Sequence, residues 1–490
     1  MSPARDPGDG RADTARIFLT AWLVYLLFLN PMIPNSVAAA LLDGAVSVVD
    51  TGHWEARHAV SYGGIDVARS GDRLVPGPPP GLAVLIVPVY AVWRLAVGPA
   101  RTDADFIALH VVATIVISAV ASALAAAQVA ALARWFGASA WASRASGLVF
   151  AFGSPAFLFA TRLFKENVAA LGIVAAWRLA REPGGAGRRA LAGVVAGLTT
   201  LVAYPAALAG PALALAIARR EGGRRCLAFV AGWGPGLGLL ALYNTWLFGR
   251  PWRFSYGAFT SLPEGAGRAT FVVPSAAVLL KLLFAQREGL LLYSPFLLAG
   301  VLGLFLWRRH QSPADAAMIG AFALVLLFIS ASWLTQFPST ATGARYGFLA
   351  VPLLAAFAAV GLDYGGRPAL LLLGAPSVAL TYLIVQAGHI ADPAPLLYAA
   401  KTFVSGTGMA VLFKEILPRW IGLDTLHTLL GRREITGAEL PALLGTVRGW
   451  RLVGNQLLML LTFGVALGIV GVVLRLLWKP AGTARLRPAP

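Results

Sequence analysis

A polar stretch rich in carboxylates follows the first apolar run of this 490-residue chain. It spans residues 34–81 and carries Asp50, Asp66, His53 and Arg73. An ionised carboxylate within reach of a hydroxyl can act as a general base, and arginine binds phosphate through its planar fork. Loops held by a rigid scaffold are where such groups commonly act. We therefore interpret the stretch as the catalytic loop of an enzyme; the alternative is a solvated loop with helix-capping residues.

A single carboxylate stands in the short turn TRLFKEN, between two apolar runs. This residue, Glu166, follows Lys165 and lies near Arg162. A carboxylate at a membrane boundary costs free energy unless it is paired with a cation or used in chemistry. Two interpretations are equally supported: Glu166 is a second catalytic acid, or it forms a turn ion pair with Lys165 or Arg162.

Two arginines also stand at the ends of apolar runs. Arg345 lies in TATGARYG next to Tyr346, and Arg287 lies in FAQREGLLLYSP just before Glu288. The guanidinium group binds phosphate oxygens in pairs, which suits a lipid phosphate at a bilayer surface. The alternatives are snorkelling at a helix end for Arg345 and an ion pair with Glu288 for Arg287.

Several other chemical motifs are missing from the sequence. The glycine-rich run 232–238 lies inside an apolar stretch, where close helix packing explains it better than nucleotide binding. There is no HExxH or GxSxG motif, and the only cysteine, Cys226, excludes an internal disulfide and a cysteine-rich metal site. His53, His58 and Asp50 are better explained as polar loop residues than as metal ligands, so no metal site is assigned.

The composition is that of an integral membrane protein. Hydrophobic residues make up 58% of the chain and charged residues only 13%, against about 25% in soluble domains. The formal net charge of +18 comes from short basic clusters between apolar runs. This pattern is typical of cytoplasmic loops and of contact with anionic lipids, and it argues against a nucleic-acid partner.

Twelve apolar runs approach the roughly 20 residues that a membrane-spanning helix needs. They are 17–33, 107–131, 145–161, 167–180, 190–203, 205–218, 226–248, 290–307, 316–333, 346–362, 369–387 and 456–477. A further run, 80–97, contains prolines and Arg94, and we expect it to lie in the interface or to re-enter the membrane. Nearly every short basic cluster then faces the cytoplasm, as the positive-inside rule requires. The predicted fold class is an all-α polytopic membrane protein with about 12 transmembrane helices, one re-entrant or interfacial helix and helical extracytoplasmic loops.

This topology divides the chain into a membrane module and external loops. The predicted segments are a cytoplasmic tail 1–16, a transmembrane module 17–386 with external loops 34–106 and 249–289, a long external loop 387–455, a last transmembrane helix 456–478 and a cytoplasmic tail 479–490. Two stretches of the long loop, 407–422 and 436–452, mix apolar and basic residues and are predicted to be interfacial helices. Most candidate catalytic carboxylates then face the extracytoplasmic side of the cell membrane.

Four stretches, taken in order, resemble the GT-C fold membrane glycosyltransferases. The likeness is to glycosyltransferase family 39, which includes protein mannosyltransferases and aminoarabinose transferases, and it covers most of residues 17–362. The stretches are VVDTGHW with GIDVARSGDRLVPGPPPGLAVLIVPVY, YNTWLFGRPWRFSYG at 243–257, QREGLLLYSPFLLAGVLGL at 286–304 and SWLTQFPSTATGARYGFLAVPLL at 332–354.

The resemblance implies transfer of a sugar from a polyprenyl-phosphate donor to a glycan, lipid or protein acceptor on the extracytoplasmic face. It implies that Asp50 or Asp66 is the catalytic base and Glu166 a second acid. Arg345 and Arg287 would bind the donor phosphate. Further substrate contacts are expected from Tyr346, Tyr243, Arg73 and His53. The donor phosphate is neutralised either by arginines or by a divalent cation such as Mg²⁺ or Mn²⁺, and both remain open at this point.

Two positions depart from the family pattern. Asn35 stands where the family often has an acidic residue after the first span, and Pro78 stands where it has a lysine before Pro-Pro-Gly. The first departure leaves the base to be chosen between Asp50 and Asp66, and the second removes one phosphate contact. The alternatives to a transferase are a transporter of lipid-linked sugars or lipids and a non-catalytic protein that binds polyprenyl lipids.

Overall fold

The computed structural model describes residues 7–31, 33, 36–58, 66–259, 272–310, 313–336, 345, 347–387, 408–423, 442 and 445–478. Most of the regular structure in these ranges is helical. Two short strands, Val67–Ser70 (β1) and Arg73–Pro76 (β2), form an antiparallel hairpin in which Ser70 lies opposite Arg73.

The helices largely follow the apolar runs of the sequence. In chain order they are α1 (Pro7–Leu27), α2 (Ser36–Thr51), α3 (Gly81–Ala96), α4 (Asp103–Ala113), α5 (Val120–Trp135), α6 (Ala140–Phe152), α7 (Pro155–Ala160), α8 (Lys165–Arg181), α9 (Ala186–Thr200), α10 (Ala209–Glu221), α11 (Gly223–Phe248), α12 (Ala276–Phe284), α13 (Leu290–Tyr293), α14 (Leu297–His310), α15 (Pro313–Gln336), α16 (Val351–Ala369), α17 (Ala375–Ala387), α18 (Leu417–Trp420) and α19 (Val447–Leu477). Segments of π-helix cover Thr114–Ala119, Leu370–Gly374 and Leu412–Ile416, and 3₁₀-helices cover Tyr204–Leu208, Ser255–Ala258 and Gly347–Ala350.

The helices differ in their capacity to span a membrane. By length and composition, four helical stretches of the described residues qualify: Asp103–Trp135, Gly223–Phe248, Gly347–Gln386 and Val447–Leu477. Shorter apolar helices cover Gly81–Ala96, Leu297–Arg308 and Ala316–Ser332. The chain is a helical membrane protein, as expected, but the structure does not confirm the expected number of about 12 spans.

The predicted runs 346–362 and 369–387 lie in the helical stretch Gly347–Gln386, which is broken at Gly366, where φ is +64°. Glycine adopts this φ without the steric cost that other residues meet. The Ser139 amide at the start of α6 donates to Asp363 at 2.6 Å. The Phe348 ring lies 6.2 Å from that of Phe150 near the other end of α6, where Ser377 lies against Gly153. The chain therefore reverses direction near Gly366, and the two runs form separate helical segments.

Helices α9 and α11 approach each other closely. A Cβ atom on Gly232 would lie 2.1 Å from Ala190 O, and one on Gly236 would lie 2.2 Å from the carbonyl carbon of Gly197. Small residues allow such backbone contact between membrane helices. Gly232 and Gly236 of the glycine-rich run 232–238 thus allow the close helix packing expected there.

The first acidic stretch contains a helix. Residues 36–51 form α2, of which residues 37–47 are buried, and α2 packs against α3. Its apolar side chains join a core cluster that also contains α3, α4 and Leu163. The alanines, leucines and valines of residues 36–51 supply the buried face of this helix.

Helix α3 is the element that the sequence places in the interface. It has 16 residues, fewer than the roughly 20 needed to span a bilayer. The Gly81 amide at its start donates to Leu201 O at 2.7 Å, and a Cβ on Gly81 would lie 2.6 Å from that oxygen. The contact fixes the start of α3 against the end of α9.

The described part of the predicted interfacial stretch 407–422 packs into the helical body. Lys414 is fully buried and donates to Gln386 O at 2.8 Å, and the ring of Phe413 lies 5.0 Å from that of Phe463 on α19. Helix α19 begins at Val447, so the end of the predicted stretch 436–452 belongs to the last helix.

Candidate active site

A turn between α7 and α8 carries the centre of the candidate site. Helix α8 begins at Lys165, and Glu166 lies in its first turn. An acidic residue is favoured there because the first turn of a helix has unpaired N–H groups and the positive end of the helix dipole. Both side chains are nevertheless buried, at 6% and 3% exposure. Burial of two charged residues at a helix start requires partners from elsewhere in the fold.

The partner of Glu166 comes from a distant part of the chain. Arg345 Nε donates to Glu166 Oε1 at 2.6 Å, and both side chains are buried. Arg345 stands just before the 3₁₀-helix Gly347–Ala350, which packs against α8. Its guanidinium carbon lies 5.7 Å from the centre of the Phe164 ring. In the described part of the chain, the ion pair of Glu166 is thus the long-range one with Arg345, and Lys165 interacts with Glu166 electrostatically.

Polar atoms next to this ion pair lack partners within the described part of the chain. Glu166 Oε2 is buried and accepts no hydrogen bond there, and the same holds for Asn167 Oδ1, while Asn167 Nδ2 donates none. Buried polar groups are nearly always hydrogen-bonded in folded proteins. Such a concentration of unused donors and acceptors suits a ligand with hydroxyl groups.

Positive charge exceeds negative charge around Glu166. Arg162 is 2% exposed and Lys165 6% exposed, and Arg345 is paired with the carboxylate. Burial lowers the pKa of Lys165 to about 8, an effect that the charges of Glu166 and Asp66 oppose and that of Arg345 reinforces. The site is therefore suited to an anionic group such as phosphate.

Asp66, from the first acidic stretch, acts electrostatically on Lys165. It is half-buried just before β1, and its Oδ2 accepts a hydrogen bond from Ser36 Oγ at the start of α2. Its backbone oxygen accepts from the Gly77 amide at 2.9 Å. Because its charge acts on Lys165, we define Asp66, Lys165, Glu166 and Arg345 as the charged cluster.

Asp50 has different partners. It lies near the end of α2, where it accepts a hydrogen bond from Tyr90 Oη at 2.8 Å and an ion-pair contact from Arg94 Nε at 3.0 Å. Both partners belong to α3, so the carboxylate links α2 to α3. The structure thus gives the two candidate bases different surroundings, and of the two only Asp66 has a described electrostatic interaction with Lys165.

The remaining expected substrate contacts are spread over other elements. His53 and Arg73 are exposed, and both act electrostatically on Glu55, which accepts from Arg57 Nε at 2.7 Å. These contacts lower the pKa of Glu55, chiefly through the hydrogen bond from Arg57. This charged group on the first acidic stretch has no described contact with the charged cluster.

Tyr243 and Arg287 also lie apart from the cluster in the described contacts. The Tyr243 ring meets the Trp54 ring edge-on at 6.2 Å, and its hydroxyl donates to Pro76 O at 3.4 Å. Arg287 is half-buried in the turn between α12 and α13, beside the buried Glu288. No ion pair joins these two described residues. Tyr346 and Asn35 fall outside the described residues, and Pro78 is buried.

The donor set of the charged cluster does not resemble a cation site. Its two carboxylates are accompanied by Lys165 and Arg345, whereas Mg²⁺ and Mn²⁺ prefer several oxygen ligands. Among the described residues, no group of three or more histidine, cysteine, aspartate or glutamate side chains is arranged to hold a metal ion.

Sequence reasoning assigned no functional role to Lys165, Ser36 or Asn167. Lys165 and Asn167 flank Glu166 in TRLFKEN. A lysine and an amide on either side of a carboxylate at the membrane boundary could have indicated a functional site. Ser36 has no such signal, because only the folded hairpin brings Asp66 to it.

Comparison with known proteins supports the fold. Neither protein-family models nor curated protein sequences match the chain. Among solved structures, ArnT from Cupriavidus metallidurans bound to undecaprenyl phosphate is similar over 94% of this chain and 76% of its own, with 16% identity and a TM-score of 0.50. The apo state of the same protein gives a TM-score of 0.47 at 15% identity, covering 81% of this chain and 75% of that one. The oligosaccharyltransferase AglB from Archaeoglobus fulgidus, with an inhibitory peptide and a dolichol-phosphate, gives 0.46 at 12% identity, covering 79% and 56%. The chain has the GT-C fold, as the sequence resemblance predicts.

Proposed function

We propose that this membrane protein is a glycosyltransferase that moves a sugar from a polyprenyl-phosphate donor to an acceptor on the extracytoplasmic side. The observation that carries the proposal is the buried charged cluster, in which Glu166 and Arg345 are paired and Lys165 adds a second cation. A neutral scaffold has little reason to bury these groups, because each costs free energy on leaving water. The GT-C fold adds support, and the ArnT structure with undecaprenyl phosphate suggests the donor class.

The donor phosphate is proposed to bind to the cationic side of the cluster. Arg345 is already oriented by Glu166, which lowers the entropy lost when it binds an anion. Lys165 contributes a second positive charge from the start of α8, and Arg162 a third from the preceding turn. Three cations compensate for the phosphate contact that the family's lysine would supply at Pro78.

The reaction itself needs one base and stabilisation of one leaving group. An acceptor oxygen attacks the anomeric carbon of the sugar, and a carboxylate takes the proton from that oxygen. The bond between the anomeric carbon and the phosphate oxygen breaks, and its electron pair leaves with the polyprenyl phosphate. The cations then stabilise the charge that develops on the leaving phosphate.

Asp66 is the proposed base. It is half-buried rather than enclosed, Ser36 holds its Oδ2, and the hairpin fixes its backbone. A base needs this combination of fixed position and access to the acceptor. Asp50 is the alternative base, and Glu166 keeps the role of second acid through its unused Oε2.

The other expected residues are proposed to bind the remaining parts of the substrates. Arg287, Tyr346 and Tyr243 would contact the donor, and Arg73 and His53 would contact a glycan, lipid or protein acceptor at the exposed edge of the hairpin. The donor tail would lie among apolar helices in the bilayer. No nucleic acid takes part in the proposed reaction.

The test uses the purified full chain in lipid nanodiscs with a panel of labelled polyprenyl-phosphate sugars and acceptors, with products identified by mass spectrometry. We expect transfer by the wild-type protein and none by Arg345→Gln. The control is Arg189→Gln, which breaks a buried ion pair elsewhere in the fold. Binding without transfer across the panel would instead identify a non-catalytic lipid-binding protein. Flux of intact donor across liposomes without a product would identify a transporter.

A further inference from the structure

The turn that carries Lys165 and Glu166 is attached to the helix formed by α4, Thr114–Ala119 and α5. The Leu163 amide donates to His110 Nε2 at 3.3 Å. The Phe164 amide donates to Ser118 Oγ at 3.0 Å, and Ser118 Oγ donates to Phe164 O at 3.3 Å. All of these side chains are buried, so the bonds are not exchanged with bulk water.

The spacing of the two side chains depends on the π-helical segment. His110 and Ser118 are eight residues apart, whereas two turns of α-helix take about 7.2 residues. The wider turn of the π-helix at Thr114–Ala119 adds nearly the missing residue, so both side chains lie on the face that meets the turn. Single π-turns inside α-helices commonly mark functional positions.

We propose that His110 and Ser118 are positioning residues that hold the turn so that Lys165 and Glu166 face Arg345. Their side chains form hydrogen bonds with the backbone amides of residues 163 and 164 and with the Phe164 carbonyl oxygen. Both residues precede the first residue of α8. Helix α8 then begins at Lys165 with its first two side chains directed into the charged cluster. This proposal deepens the proposed function and rests on it for its catalytic meaning, but the placement of the turn does not depend on the reaction.

The environment of Lys165 reports whether the turn is in place. The charged groups that act on it are Glu166, Asp66 and Arg345, and burial is the main reason for its lowered pKa of about 8. A turn released from His110 would let water reach the ammonium group, and its pKa would rise toward the ordinary value of about 10.5.

The experiment measures lysine acylation against pH in the full-length protein in nanodiscs, read by peptide mass spectrometry. In His110→Leu, the Lys165 midpoint should rise from about 8 toward the ordinary lysine value. His110→Gln places an amide oxygen near the position of Nε2 and should keep the wild-type midpoint. Ser118→Ala should raise it, by less than His110→Leu, because the His110 bond remains.

Lys414 is the internal control. It is also buried, its pKa is also lowered to about 8 by burial, and it bonds to Gln386 O away from the turn. Its midpoint should stay constant in all three variants. If His110→Leu unfolds the protein, the midpoints of both lysines should change. In that case the Lys165 midpoints of Ser118→Ala and His110→Gln test whether the turn is held by these two side chains.

An unchanged Lys165 midpoint in folded His110→Leu, or the same rise in His110→Gln, would overturn the proposal. In the transfer assay we expect kcat/KM to fall by about 10- to 100-fold in His110→Leu, mostly through kcat, with recovery in His110→Gln. Absence of transfer in the wild type would reject the proposed function, while the acylation result would still decide the role of His110.

Discussion

Two arginine–glutamate pairs in the described part of the chain have similarly low side-chain exposure but differ in how fully their hydrogen-bonding groups are used. Arg189 on α9 and Glu221 at the end of α10 form one pair, with Nε–Oε2 and Nη2–Oε1 distances of 2.8 and 2.9 Å. Arg189 also donates to the carbonyl oxygens of Leu179 and Glu182, and Arg220 donates to Glu221. Both oxygens of this carboxylate are used, as expected of a pair whose task is to join helices.

The pair Arg345–Glu166 is open by comparison. One carboxylate oxygen is bound, and Oε2 has no donor among the described residues. Asn167 next to it leaves its whole amide group without partners in that same part of the chain. A protein gains no stability from leaving such groups unused in its interior. The comparison shows that burial of an ion pair does not by itself indicate a binding site. Burial together with polar atoms that have no hydrogen-bond partner does.

The largest expected effect separates the two pairs by activity. Arg345→Gln removes a phosphate-binding group and leaves Glu166 buried without its partner, so transfer should fall by about 1,000-fold or more. Arg189→Gln should cost a similar stability, roughly 3–5 kcal/mol, yet leave turnover per folded molecule unchanged. Transfer rates normalised to folded protein, with thermal unfolding measured in parallel, check both statements.

The outcome that would break the comparison is equal loss of turnover in the two variants. Arg345→Lys is the conservative companion, because it keeps the charge but loses the planar fork. We expect it to retain part of the stability and little of the transfer. If it were fully active, a point charge would suffice and bidentate phosphate binding would be rejected.

The fold class could be predicted from the sequence because it depends on composition and on long apolar runs. The GT-C prediction is confirmed, and so is the packing role of Gly232 and Gly236 in the glycine-rich run. The number of spans was not accessible in the same way. Among the described residues only four helical stretches qualify as spans by length and composition, and hydropathy does not show that residues 36–51 form a buried helix.

The candidate site was accessible only in parts. Glu166 and Arg345 were both identified by their positions at the ends of apolar runs, but their direct contact spans 179 residues of sequence. No local pattern predicts a contact of that range. Asp50 and Asp66 looked equivalent, since Tyr90 and Arg94 of α3 reach Asp50 only in the folded protein.

The next largest effect concerns those two aspartates. If Asp66 is the base, Asp66→Asn should lower kcat by about 100-fold or more. Asp50→Asn should change kcat little and cost about 1 kcal/mol or less, because its pair with Arg94 is partly exposed. Single-turnover rates at saturating donor distinguish the two. A larger kcat loss in Asp50→Asn would indicate that Asp50 on α2 is the base and that the Asp66–Ser36 contact has a structural role.

A smaller effect should appear in the pH dependence of the cluster. Lys165, whose pKa is about 8, loses its charge above that pH, so donor binding weakens. We expect kcat/KM to fall by about tenfold for each pH unit above this value. Lys165→Arg keeps the charge and should remove the decline. A decline that persists in this variant would assign the ionisation to another group.

Stability should change in the opposite direction over the same pH range. The native pKa of Lys165 lies below that of the unfolded chain, so the unfolded state binds more protons between about pH 8 and 10.5. The free energy of unfolding therefore rises with pH in this window while kcat/KM falls. Chemical denaturation across the window measures this contribution, and it should disappear in Lys165→Met. A parallel fall of stability and activity would mean that alkaline inactivation reflects unfolding.

The smallest expected effect is that of chelation. If Arg345 and Lys165 neutralise the donor phosphate, treatment with EDTA should leave the transfer rate unchanged, and added Mg²⁺ or Mn²⁺ should not raise it. The lysine and arginine of the cluster would repel a divalent ion that approached its two carboxylates. The transfer rate before and after chelation, with each ion added back separately, measures this. A loss that Mg²⁺ or Mn²⁺ restores would mean that carboxylates and a metal ion hold the phosphate together. Arg345–Glu166 would then be a structural pair like Arg189–Glu221, and its unused oxygen would be the position at which the ion enters.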